Sequence, residues 1–229
     1  MLLLPIKPKP LAAALPANIF RRAISVAAMF LLFISTASAS AVPMMLSPND
    51  KAVVTQIEAY LNTQKGLTAN FLQVDTNGAT RTGKAWLQRP GKMRFAYDPP
   101  DPQLLVAGFG LLVYHDPQLN QTTNIPLSAT PLGILLAKHV DLESTSVDIT
   151  NLVEQPGQID LSLVRHGKEA AGTLTLSFST EPLELRAWTV TDAQGKQTSV
   201  HLYDITPGGP YPDSLFEYFQ NSDPMVSGG

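Results

Sequence analysis

From Ser47 onward the apolar positions change period twice, and each change marks an element. Val53, Val54, Ile57, Tyr60 and Leu61 recur at three- and four-residue spacing, the single stripe of a helix lying on something. Ser47-Pro48 followed by Asp50 supplies an N-cap, a proline at the first helical position and an acid in the first turn. Gly66 is placed to cap the end. After Gly66 the period falls to two. Leu67, Ala69, Phe71 and Gln73 alternate with Thr68, Asn70, Leu72 and Val74 as far as Asn77-Gly78, a hairpin signal.

The same punctuation continues along the chain. Arg81–Gln88 runs back, Arg89-Pro90-Gly91-Lys92 turns, and Met93, Phe95 and Tyr97 alternate on the next strand. Beyond Pro99-Pro100-Asp101-Pro102, Gln103–Ala107 and Leu111–His115 flank Gly108-Phe109-Gly110, and Asp116-Pro117 leads into Gln121–Leu127. Thr130-Pro131 then starts a second helical piece, Pro131–Ala137, apolar on nearly every side through Leu132, Ile134, Leu135 and Leu136. Strands resume at Thr145–Glu154, Gln158–Arg165, Gly172–Ser179, Leu183–Thr191 and Thr198–Thr206. About ten or eleven short strands with short connections favour antiparallel neighbours, because parallel pairing needs long crossovers. The expectation is a mainly β, single-domain meander with two or three helices.

The first 41 residues stand apart. They hold Lys7, Lys9, Arg21 and Arg22 and no acid, then the apolar run Ile24–Ile34, then the small-residue run STASASA. That order is the mark of a secretory signal peptide, with cleavage after Ala39 or Ala41, and the run is shorter than the roughly 20 residues that span a bilayer. Residues 42–229 form the expected single domain. The whole chain of 229 residues carries a formal charge of −3, but four of its 16 basic residues lie in the leader, so the remainder carries about −7. No basic stripe is present, so nucleic acid is not an expected partner. With no cysteine, thiol chemistry and a lipid-modified N-terminus are excluded.

Catalytic motifs are wanting. His115, His139, His166 and His201 stand too far apart for metal-ligand spacing, and Gly108-x-Gly110 lacks the third glycine and the helix of a dinucleotide fingerprint. An acid–base reading would pair His115 with Asp116 or His139 with Asp141; loop-end polar residues are the plainer account. No metal or cofactor is implied. What does stand out is apolar bulk on the early strands: Phe71, Trp86, Met93, Phe95 and Tyr97. An ordinary sheet–helix core explains that bulk as well as a hollow one does.

Phe71-x-Gln73, followed by Gly83-x-Ala85-Trp86-Leu87-x-Arg89-Pro90-Gly91-Lys92-x-Arg94-Phe95-x-Tyr97, resembles the LolA family, periplasmic carriers of outer-membrane lipoproteins. The similarity continues through Leu105-Val106-x-x-Phe109-Gly110, Val113-Tyr114-His115-Asp116 and Thr130-Pro131-Leu132. It implies an unclosed antiparallel β-barrel with an α-helical lid over a hydrophobic cavity. It also implies a monomeric carrier that receives acyl chains of lipoproteins from an inner-membrane ABC complex and hands them to an outer-membrane receptor. By the same resemblance Met93 and Phe95 fall on the family's cavity-lining positions and Trp86 on the tryptophan before its arginine; the expected cavity adds Phe71 and Tyr97, with Leu132, Leu135 and Leu136 from the lid. Arg89 falls on the family's lid-locking arginine. Met93 stands where many members carry an aromatic, and Pro207–Pro210 with Asp213–Phe219 matches the closing segment loosely. A shuttle or a sensor for another amphiphile on the same half-barrel is the alternative.

Overall fold

The computed structural model describes residues 42–218 except residue 102; the expected leader, residues 1–41, lies outside the described residues. Helix α1 spans Pro48–Thr63. Its start is a reciprocal capping box: Asp50 N donates to Ser47 Oγ at 3.2 Å, and Ser47 N donates to Asp50 Oδ2 at 2.7 Å. Val53, Val54, Ile57 and Leu61 form its buried stripe. Gly66 does not cap the helix. The chain leaves it through Gln64, and Gly66 is already the first residue of β1, where its carbonyl accepts from Gly208 N at 2.9 Å.

Eleven strands follow among the described residues: β1 (Gly66–Asp75), β2 (Thr80–Gln88), β3 (Lys92–Tyr97), β4 (Leu104–Gly108), β5 (Leu111–Asp116), β6 (Gln121–Pro126), β7 (Val147–Gln155), β8 (Gln158–Arg165), β9 (Thr173–Thr180), β10 (Leu183–Thr191) and β11 (Gln197–Pro207). They make one sheet in the order β6-β5-β4-β3-β2-β1-β11-β10-β9-β8-β7, every pair antiparallel. Two meanders therefore meet where β1 pairs with β11, and β6 and β7 remain as unjoined edges. The barrel is open. The segment 127–146, with the short helix α2 (Leu132–Leu135), is what runs from one free edge to the other. Met44 N adds one bond to β7 at Ile149 O, 2.7 Å.

Register sorts the side chains onto two faces. Leu67, Leu87, Met93, Ala107 and Leu112 stand opposite one another across β1–β5, and Ala69, Ala85, Phe95, Leu105 and Tyr114 form the next row. These rows face the core, together with Phe178, Leu176 and Leu174 of β9 and Leu161 and Leu163 of β8. On β10 an irregularity between Leu185 and Ala187 shifts the register, so Leu185 and Trp188 both end up buried despite a spacing of three.

The opposite face is partly covered by the chain's last described stretch. Lys92 pairs with Asp213 at 2.6 Å, Arg94 Nη1 donates to Leu215 O at 3.1 Å, and Phe216 is buried where its backbone crosses Gly108. That stretch contains a 3-10 turn, Asp213–Phe216, and no strand among the described residues. Among them, too, no helix is long and apolar enough to cross a membrane.

Candidate functional site

The segment joining the two free edges is held at several points, each by a hydrogen bond or two. Leu127 N donates to Gly110 O at 2.8 Å, at the β4–β5 turn. Thr130 O accepts from Gly133 N at 3.2 Å and from Arg165 Nε at 3.3 Å. Just past α2, Leu136 O accepts from Gly91 N at 2.8 Å, in the β2–β3 turn. Further on, Asn62 of α1 grips Val140 twice, donating to its O at 2.8 Å and accepting from its N at 2.9 Å, while Leu142 N donates to Glu58 Oε1 at 2.6 Å.

Between these bonds α2 presents leucine to the barrel. Leu132, Ile134, Leu135 and Leu136 are buried, the last two at 2 % exposure. A four-residue helix has too few internal bonds to persist alone, so its conformation depends on this burial and on the bonds at its two ends. Removing four large aliphatic side chains from water stabilises the docked position by roughly 6–12 kcal/mol at about 1.5–3 kcal/mol each.

Of the residues that the sequence pointed to, Phe71, Met93, Phe95 and Tyr97 share one face with the docked leucines. Their rings interlock: Phe71 lies 4.6 Å from Phe95 and 5.2 Å from Tyr97, edge-on in the second case. Tyr97 Oη donates to Gln73 Oε1 at 2.7 Å, and burial raises the phenol's pKa. Gln73 in turn donates to Asp75, which pairs with Arg81, so the inner face ends in a bonded polar cluster.

Trp86 is the exception. It pairs with Thr68 and Arg94 across the sheet, on the outer face, and Lys84 Nζ sits 5.4 Å from its ring. The tryptophan that enters the core is Trp188, 5.8 Å from Phe95 and edge-on to it. Nothing in an alternating pattern announces it, since the β10 irregularity is what turns it inward.

Arg89 also differs from expectation. It lines a pocket with Tyr60, Leu61, Leu67, Leu87, Leu135, Leu136 and Leu185. Its backbone N donates to Lys65 O at 2.9 Å, but among the described residues its guanidinium bonds no lid carbonyl. The bond to the end of α2 comes from Gly91 instead, two residues on. Burial lowers the Arg89 pKa to about 10, with Tyr60 opposing the shift. The pocket leaves ≈ 20 Å³ for a water-sized molecule, room for about one water.

The candidate acid–base pair comes apart. His115 Nδ1 meets Thr122 Oγ1 at 3.0 Å and its ring stacks near Tyr218, whereas Asp116 faces the other way and ties the β5–β6 turn through Gln118 N and Leu119 N. Residues the sequence reading passed over hold the bridging segment: Gly91, Asn62, Glu58 and Arg165. Asn62 and Glu58 stand four residues apart on the margin of the apolar stripe of α1, the one signal that could have raised them.

Comparison with known proteins places this architecture. The family described as "Outer membrane lipoprotein carrier protein LolA" matches residues 62–219. An outer-membrane lipoprotein carrier protein of Pseudomonas paraeruginosa is 30% identical over 167 residues, 69% of this chain and 78% of its own length. One from Pseudomonas fluorescens is 30% identical over 179 residues, 74% of this chain and 85% of its own. Among solved structures, a LolA superfamily protein from Nitrosomonas europaea aligns over 72% of this chain and 97% of its own, at 9% identity and a TM-score of 0.40. With the signature spanning β1 through β11 and the bridging segment between the free edges, the chain belongs to the LolA family of outer-membrane lipoprotein carrier proteins.

Proposed function

We propose that this protein is exported, loses residues 1–41, and works in the periplasm as a monomeric carrier of lipoprotein acyl chains. An inner-membrane ABC complex supplies the cargo and an outer-membrane receptor accepts it. The observation that carries the reading is the plug. Phe71, Met93 and Phe95 lie in one buried cluster with Leu132, Leu135 and Leu136, leucines of a short segment that runs between the two free edges of the sheet, and Tyr97 packs against that cluster. An acyl chain is the chemical equal of what that segment supplies. Each methylene moved out of water contributes about 0.8 kcal/mol, so two or three chains replace Leu132, Leu135 and Leu136 with gain to spare. The competition runs both ways: the docked leucines help expel the chains again, which keeps binding reversible.

Arg89 takes its part at the mouth of the site. Its guanidinium has lost water against the leucines of α2 without an acid to replace it, a state that favours any arrangement supplying carbonyl oxygens. Lid carbonyls and the ester carbonyls of a diacyl cargo both qualify.

The test uses mature protein and a purified triacylated lipoprotein in detergent-free transfer from proteoliposomes. Co-elution of a one-to-one complex, competed by a fluorescent fatty-acid analogue, is expected. Failure to extract lipoprotein while binding free fatty acid would point to a shuttle for another amphiphile. Failure to bind either would make the buried cluster an ordinary core.

A further inference from the structure

Among the described residues, ion pairs occupy Arg81, Lys92 and Arg186, while Arg89, Arg94 and Arg165 have no carboxylate. All three are partly buried, and burial lowers each guanidinium's pKa. Arg94 bonds the carbonyl of Leu215. Arg165 bonds the carbonyl of Thr130 instead.

Its position makes that bond unusual. Arg165 ends β8, paired with Val147 of the edge strand β7, and reaches across to the first turn of α2. There Thr130 O already accepts from Gly133 N, so the guanidinium is a second donor to the carbonyl at the start of the helix and ties it to β8. Gly133 lets it lie flat on the backbone. A Cβ at Gly133 would stand 2.6 Å from Leu127 O and would collide with Arg165 Nη2. The close approach explains why an otherwise apolar helical turn contains a glycine, a residue that weakens helices. At the other end of α2, Gly91 N holds Leu136 O, a backbone bond indifferent to side-chain identity.

We propose that Arg165 is a positioning residue that clasps the first turn of α2 and sets how often the lid stands open. The proposal rests on the carrier reading in one respect, that α2 lifts when cargo enters. A guanidinium on a neutral carbonyl suits this task. It is stronger than a neutral hydrogen bond, yet it leaves no buried carboxylate stranded when it parts.

The experiment is amide hydrogen exchange on the full chain without ligand, for wild type, Arg165→Met, Arg165→Lys and Gly133→Ala. Arg165→Met keeps the apolar stem and removes the donors. Exchange at Ile134, Leu136 and Ala137 should accelerate about tenfold, which corresponds to about 1.4 kcal/mol. Amides of Leu161, Leu163 and Leu174 in the sheet should keep their wild-type rates. Arg165→Lys should fall between, since an ammonium reaches the carbonyl but cannot lie along the turn. Gly133→Ala, with the arginine in place, should accelerate the same lid amides, because its Cβ meets both the guanidinium and Leu127 O. Unchanged lid amides in Arg165→Met overturn the clasp, and so does equal acceleration of lid and sheet, which would make Arg165 a general support of the sheet. A hydrophobic dye separates this from the carrier reading. If lid exchange accelerates in Arg165→Met but dye affinity does not rise, the clasp stands and the carrier reading falls.

Discussion

Exchanging each of the two tryptophans for alanine tests which face of the sheet is the interior. Trp188 is 2 % exposed and packs edge-on against Phe95. Burying a tryptophan removes about 150–250 Å² from water, and truncations of such residues cost about 3–5 kcal/mol, with about 0.5–1.5 kcal/mol of that in the aromatic pair. Trp86 is half-buried on the outer face, and its ring is covered on one side by Lys84, a contact worth about 0.5–1 kcal/mol at an exposed site. Roughly half the area then gives about 1–2 kcal/mol for Trp86→Ala. Urea unfolding followed by circular dichroism measures both. With a slope of about 2 kcal/mol per molar, Trp188→Ala should lower the midpoint by about 1.5–2.5 M and Trp86→Ala by less than about 1 M. Single-tryptophan variants add a second reading: in Trp86→Phe the remaining Trp188 should change its emission when an amphiphile binds, and in Trp188→Phe the signal should stay flat. Equal costs for the two alanine variants, or a ligand response from Trp86 alone, would refute the assignment of faces.

Replacing Arg89 with Leu should raise the urea midpoint by the equivalent of about 1 kcal/mol, because it removes a desolvated cation from among leucines, and should slow cargo release in a transfer assay. A lowered midpoint with normal release would contradict this. Gly83→Ala should destabilise by about 2–4 kcal/mol, since a Cβ there would stand 2.7 Å from Phe71 Cε1 and overlap Ala96 O; thermal unfolding decides it. Asn62→Ala should cost about 1–3 kcal/mol and speed amide exchange at Val140, both of whose backbone groups it serves. Tyr97→Phe should flatten stability against alkaline pH. The buried phenol has a raised pKa, so above the ordinary value of 10.0 the unfolded chain loses a proton that the folded chain keeps, and wild-type stability falls as pH rises; equal slopes for both proteins above pH 10 would contradict it.

Local chemistry and period were enough to place α1, the eleven strands and their antiparallel sense, because capping residues, alternation and short turns act within a few residues of where they stand. The motif around Arg89-Pro90-Gly91 was enough to name the family, which the match over residues 62–219 bears out. Three things waited for the tertiary structure. Which edges stay open follows from β11 returning to pair with β1, a contact between residues more than a hundred positions apart. Which tryptophan is internal depends on one irregularity in β10, and a register shift of one residue moves a side chain to the other face. Which groups hold the bridging segment depends on the folded geometry that brings Gly91, Asn62 and Arg165 to carbonyls and amides far away in the chain. Backbone carbonyls are the same in every sequence, so the partners of an arginine that binds them leave no mark in the amino-acid pattern.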